Sequence, residues 1–153
     1  MRRLLSLGTV LLCTVAFTSE SYHPPEGGAW QKARLYLSPV GPFHQASGAA
    51  VFACNLAETQ HRCQLYAKGL RAGARHTVWL VDMQGTAVQR TYELTSRWRP
   101  LSADQRGVLY LITDLPWCPV GRTAVVVKYH PSGRARGFDD GLTVLKGYLA
   151  KME

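Results

Sequence analysis

Acidic residues are scarce in this chain: ten Asp+Glu stand against 18 Lys+Arg among 153 residues, a formal net charge of +8 with a pI near 9.6. Charged residues of both signs make up only 18 %, against 46 % hydrophobic, which excludes a disordered chain. No internal segment has the roughly 20 consecutive apolar residues that a transmembrane helix needs. No segment sustains an i, i+3, i+4, i+7 apolar stripe over about 12 residues, so a helix bundle is excluded as well. Several chemical signatures are missing. There is no Gly-x-Ser-x-Gly, no Ser-x-x-Lys, no phosphate loop and no Cys-x-x-Cys, and no motif calls for a cofactor. The length suits a single domain.

The one long apolar run lies at the start. Arg2-Arg3, the run Leu4 to Phe17 and the small residues Thr18-Ser19 make the three parts of a secretory signal, so residues 1–18 are read as a signal peptide and the rest as secreted or held in the cell envelope. An uncleaved signal would be its only membrane anchor. Cys13 invites a lipid-anchor reading, but Leu12 occupies the place before it where a small residue is needed. Without Arg2 and Arg3 the chain keeps 16 basic residues against 10 acidic ones. Residues 19–32, with Pro24-Pro25 and Gly27-Gly28, have no periodicity and read as an extended linker.

Residues 33–150 then present short runs rich in Val, Leu, Tyr and Thr, separated by Gly, Pro, Asp and Ser. They are Arg34–Leu37, Ala49–Cys54, Arg62–Leu70, His76–Val81, Ala87–Leu94, Val108–Thr113, Ala124–Tyr129 and Leu142–Leu149. The pattern predicts an all-β domain, an immunoglobulin-like antiparallel β-sandwich of about 7–8 strands. Alternation assigns faces: Cys63, Leu65 and Ala67 point one way, Gln64, Tyr66 and Lys68 the other. Val78–Val81 is apolar on both sides, as a central covered strand would be. The last run is the weakest strand, because Leu142 to Met152 also suits a short helix.

Three cysteines follow the signal. In an oxidising compartment one pair bridges and one thiol is left over. Cys54 and Cys63 are the natural pair, since each sits in a strand-like run and Asn55–Arg62 between them makes a hairpin loop; Cys118 is then the free thiol. The pairings Cys54–Cys118 and Cys63–Cys118 stay open.

Three segments in order carry a family resemblance: Gly69-Leu70-Arg71-Ala72-Gly73, then His76-Thr77-Val78-Trp79-Leu80-Val81-Asp82 with Gly85, then Ala103-Asp104-Gln105-Arg106-Gly107. With Pro131-Ser132-Gly133 and Val144-Leu145-Lys146-Gly147 they resemble the extracytoplasmic β-sandwich domain of anti-sigma-K-type factors over about residues 33–149. The resemblance implies a fold and an envelope-facing location. The sigma-binding helical region and the transmembrane helix of that family have no counterpart here.

Superoxide-dismutase-like sandwiches share the Gly-Leu turn, and a metal-binding or dismutase-like protein is the rival reading. Such a copper site needs His-x-His on the strand after that turn; here the strand holds His76 followed by Thr77 and Val78. No two of His23, His44, His61, His76 and His130 have the spacing that presents both to one metal, so a metal site would have to be assembled from separate loops, for instance His44, His61 and Cys63. Asp139-Asp140-Gly141 reads as a turn. The basic excess is the remaining lead. Arg90, Arg97, Trp98 and Arg99, with Arg134 and Arg136, form two candidate anion-binding groups for wall polymers or other polyanions, with nothing specific to nucleic acid. The expectation is thus a non-catalytic binding module whose partner is a protein or a polyanionic ligand of the envelope.

Overall fold

The structure, a computed structural model, describes residues 30–55, 60–95, 101–119 and 123–149. Among them are nine strands and no helix: β1 (Trp30–Pro39), β2 (Ser47–Asn55), β3 (Gln60–Lys68), β4 (Arg75–Gln84), β5 (Ala87–Glu93), β6 (Leu101–Ser102), β7 (Leu109–Asp114), β8 (Thr123–Tyr129) and β9 (Leu142–Tyr148). Each of the eight expected runs coincides with a strand. β6 is the addition, and its two residues are too short to show any periodicity. The last run is strand β9, not a helix. β1 begins inside the expected linker, because Trp30, Gln31 and Lys32 pair with Asn55, Cys54 and Ala53. The expected signal peptide and the remainder of the linker lie outside the described residues.

All pairings are antiparallel, and the strands follow one path, β5-β4-β8-β9-β1-β2-β3-β7, with β6 beside β4. The path bends at β1. Residues 30–37 pair with β2, whereas Ser38 and Pro39 pair with Lys146 and Leu145 of β9. The sheet therefore curls into a half-barrel of two arms, β2-β3-β7 on one side and β9-β8-β4-β5 on the other.

One core fills the curl. Leu35 and Leu37 of β1, Ala50 and Phe52 of β2, and Leu65 and Ala67 of β3 face Val78 and Leu80 of β4, Val125 and Val127 of β8, and Leu145 of β9. β4 and β8 are apolar on their outer side too, where Trp79, Val81, Met83, Ala124 and Val126 pack with Phe138. This second layer is why β8 is buried along its whole length and why Val78–Val81 shows no alternation. The junction of the arms is tight. A Cβ at Gly147 would lie 2.4 Å from the Tyr36 carbonyl oxygen and 2.6 Å from Leu35, so a residue without one is needed where β1 crosses β9.

The expected Cys54–Cys63 bridge is not formed. Cys54 is bonded to Cys118 with a Cα–Cα distance of 5.6 Å, and Cys63 is the free, buried cysteine. The register of β2 and β3 explains the outcome, for Cys54 lies opposite His61 and Cys63 lies opposite Phe52. The two cysteines are diagonal neighbours, roughly 7–8 Å apart, and a disulfide needs Cβ atoms about 4 Å apart. Cys118, expected as the free thiol, reaches Cys54 instead. The Leu115 amide donates to the His61 carbonyl at 2.8 Å, which turns the chain leaving β7 over the end of β2. Such a bridge suits an oxidising compartment, and closing a loop of 64 residues contributes about 4 kcal/mol by loop-closure entropy.

Burial pushes the Cys63 thiol up to about 12. Alkylation of the native, unreduced protein at pH 8 is therefore expected to label no described cysteine, and unfolding without reductant should expose Cys63 alone among the described cysteines to mass spectrometry. Gly147→Val should lower unfolding free energy by about 1–3 kcal/mol in urea titrations, the usual cost of overpacking.

Candidate functional site

Among the described residues nothing forms a second layer on the outer side of the β1-β2-β3-β7 arm, and its register builds a groove. Tyr36, Ala49, Tyr66 and Tyr110 form one row across four strands; Arg34, Val51, Gln64 and Ile112 form the next. Lys32, Ala53, Arg62 and Asp114 follow. The small side chains of β2, namely Ala49, Val51 and Ala53, are thus the floor. Lys32, Arg34 and Tyr36 stand on one wall, and Arg62, Gln64 and Tyr66 on the other. Strand spacing sets the walls roughly 10 Å apart, and Ala49 to Ala53 spans roughly 14 Å. A cleft of about 110 Å³ lies between Lys32, Val51, Ala53, Arg62 and Gln64.

The exposure of this face is unusual for such residues: Tyr36 is 73 % exposed, Tyr110 50 %, Ile112 53 % and Tyr66 45 %. The side chains are nonetheless held. The Arg34 guanidinium lies 6.0 Å from the Tyr36 ring centroid, the Gln64 amide donates to the Tyr110 hydroxyl, and Arg62 Nε donates to Asp114 Oδ1 at 3.0 Å. Aromatic faces beside guanidinium groups stack on flat or CH-rich ligands and pair with anions.

A second polar surface lies at the loop end of the half-barrel. Gly69-to-Ala74 leads into β4, and Pro131-to-Gly141 joins β8 to β9. The Leu70 amide donates to the Gly107 carbonyl at 3.0 Å, and Gly107 must be glycine there, at φ 73° with a would-be Cβ 2.3 Å from the Leu70 carbonyl oxygen. Arg71 donates to the Tyr129 hydroxyl and Arg75 to the Gly133 carbonyl, both at 2.8 Å. Two open clefts result. Arg71, Arg75, Tyr129 and His130 border one of about 390 Å³, and Ser132, Arg134, Arg136 and Asp140 border another of about 470 Å³.

Beneath these loops lie two buried histidines. His76 Nδ1 donates to the Ala74 carbonyl at 2.9 Å, and its ring packs on Tyr129. On the outer side the Trp79 indole donates to Thr77 Oγ1, and Thr77 Oγ1 is 2.8 Å from His130 Nε2. The hydroxyl thus joins the indole and the imidazole, and the other ring nitrogen, His130 Nδ1, lies 3.8 Å from Asp140 Oδ2. Lys128 donates to the Phe138 carbonyl and lies over the Phe138 ring, closing this layer. Burial lowers the pKa of His76. Burial also lowers that of His130, against the Asp140 carboxylate, which opposes the shift.

Of the expected anion-binding residues, Arg134 and Arg136 border the same cleft, and Arg90 lies apart from them. Arg90 lies opposite Asp82 at the other end of the β4–β5 pair, beside Tyr92 and Trp117, whereas Arg134 and Arg136 lie in the loop after β8. Arg97, Trp98 and Arg99 fall outside the described residues. His44 stands in the β1–β2 loop, at the opposite end of β2 and β3 from His61, so the expected grouping of His44, His61 and Cys63 does not form. Where a dismutase-like strand would hold a second histidine two residues after His76, β4 holds Val78 in the core. The tyrosine groove escaped the sequence reading. Tyr36, Tyr66 and Tyr110 each alternate with buried neighbours, which was the available signal, but their alignment needs the register of three strand pairs. No protein-family model matches the chain, and no curated protein matches it.

Both buried histidines have folded pKa values below the ordinary value near 6.5. As pH falls through about 6.5 the unfolded chain takes up protons first, so stability is full above that pH and is lost below it. Each histidine contributes a slope of up to about 1.4 kcal/mol per pH unit. Urea titrations at pH 7.5 and 5.5 should show the loss, and His130→Gln should make it shallower.

Proposed function

We propose that this chain is a non-catalytic binding module working outside the cytoplasm, and that it takes an extended, anionic polymer along the β2 groove. The carrying observation is the row Tyr36–Ala49–Tyr66–Tyr110 with Lys32, Arg34 and Arg62 alongside it. The groove is straight because its floor is one strand, and it accepts an extended occupant because its walls are the two flanking strands. Aromatic platforms that stack nucleobases gain about 1–3 kcal/mol per base, and exposed tyrosine faces offer the CH-rich faces of sugar rings a contact of the same geometry. The basic groups add attraction that salt screens. An acidic envelope polysaccharide combines the required ring faces and charge.

We read the two arms over one core as counterparts of the two layers of an immunoglobulin-like sandwich, the fold that the resemblance to the extracytoplasmic domain of anti-sigma-K-type factors implies; the all-β curl with one core supports that reading. The non-catalytic reading draws on the one hydroxyl–imidazole–carboxylate series described above. Thr77 is fully buried, and its hydroxyl is already engaged by both Trp79 and His130, so it serves the fold.

The loop-end clefts favour a second reading, in which Arg134 and Arg136 receive the anion, since both are exposed. Retention on immobilised heparin, used as a model acidic polysaccharide, separates the two. The groove reading expects elution at lower salt for Tyr36→Ala and Tyr66→Ala, with binding weakened at least about fivefold each. It also expects a shallower salt dependence for Arg34→Ala. Loss confined to an Arg134→Ala/Arg136→Ala variant would transfer the site to the loops, and wild-type protein that is not retained would remove both readings.

A further inference from the structure

We propose that the Cys54–Cys118 disulfide masks a metal site. Once the bridge is reduced, Cys54 Sγ, Cys118 Sγ and an imidazole nitrogen of His61 hold one thiophilic d¹⁰ cation, Zn²⁺ or Cu⁺. The three ligand atoms already lie within 4.8 Å of one another. Zinc sites with Zn–S near 2.3 Å and Zn–N near 2.0 Å need ligand atoms roughly 3.5–4 Å apart, so the sulfurs must separate by less than about 2 Å from bonded distance.

The frame is built to allow that movement and little more. Cys54 and His61 are cross-strand partners on β2 and β3, fixed by the ladder. Cys118 belongs to the segment after β7, outside any strand ladder, so the adjustment falls on its side of the site. That segment stays in place without the bridge, because Leu115 is bonded to the His61 carbonyl and Trp117 packs edge-on against Tyr92 with centroids 4.9 Å apart. A second observation points to an absent ligand: His61 Nδ1 is buried and has no hydrogen-bond partner among the described residues. A buried imidazole nitrogen without a partner is costly unless something coordinates it. Two thiolates and an imidazole form a soft donor set with a vacant fourth position.

The reaction balances with a dithiol reductant. The reductant gives two electrons and two protons to the S–S bond, leaves as its own disulfide, and yields two thiols. Zn²⁺ binding then releases both thiol protons to solvent, so the bound form carries two thiolates. Oxidation reverses the sequence and expels the ion, and the site thereby loads only under reducing conditions.

The test uses the whole chain, oxidised or reduced with dithiothreitol and then desalted without oxygen. Titration with Zn²⁺, and separately with Cu⁺, should show one equivalent bound by the reduced protein and under a tenth of an equivalent by the oxidised one. His61→Gln should weaken binding at least tenfold, and Cys63→Ala should leave it unchanged. Equal uptake by oxidised protein, no uptake by reduced protein, or equal affinity in His61→Gln would each overturn the proposal. Should that variant misfold by circular dichroism, the Co²⁺ form of the reduced wild type decides. It must show thiolate-to-cobalt charge transfer together with paramagnetically shifted imidazole protons, and lack of either overturns the proposal.

Discussion

A strand has two edges, and β1 gives them to different arms of the sheet. Its first eight residues satisfy their backbone groups against β2, and its last two against β9. A sheet joined in this way cannot lie flat, because the two arms diverge from a common strand and close over whatever lies between them. The core follows from that closure. Leu35 and Leu37 turn inward to meet Phe52, Leu145 and Val125, and by the period of two their neighbours Arg34 and Tyr36 must turn outward. The same alternation that seals the interior therefore builds the wall of the groove. Gly147 is the local condition for the arrangement, being the place where β9 and the body of β1 approach too closely for a side chain.

How much of this was legible in the chain depends on the range of the signal. Strand positions were readable because alternation and turn chemistry are local, and β4 was readable as a covered strand because Val78–Val81 has no polar position. The curl at β1 was not readable, for nothing between Trp30 and Pro39 marks the point at which the partner changes from β2 to β9. Cysteine pairing failed for the same reason. A hairpin brings Cys54 and Cys63 onto one face, but only the register reveals that they are offset by two positions and that Cys54 faces His61. The aromatic row needs three registers at once. Of the two arginine groups, Arg134 and Arg136 do share one cleft, as neighbours two residues apart in a loop can, while Arg90 stands at the far end of the β4–β5 pair from them.

The two ends of the half-barrel use different means of holding irregular backbone. At one end, glycine-dependent turns are knitted by main-chain bonds among Leu70, Gly73, Ala74, Ala103 and Gly107, over a buried layer of His76 and His130. Neutral imidazoles suit that layer, because each offers one donor and one acceptor in a place where a charge would be unscreened. At the other end a covalent bond ties the chain leaving β7 to β2, with Trp117 against Tyr92 as a noncovalent support. Between them runs the groove, on the face where Tyr36, Tyr66 and Tyr110 lie uncovered in one row.

An open curl differs from a closed barrel in having two lips, and here they are β5 and β7. Among the described residues each lip has a strand partner on one side only, and such an edge is where a stray strand can add, the route by which sheet proteins polymerise. Both lips carry deterrents. The β4–β5 pairing slips between Asp82 and Met83, which bends β5 out of the straight line that templating requires, and its exposed surface includes Gln89 and Arg90. β7 is only six residues long and runs into Pro116 within two residues of its end. The architecture gains an exposed groove by leaving the barrel unclosed, and the irregularities along its margins are what keep such a sheet from growing.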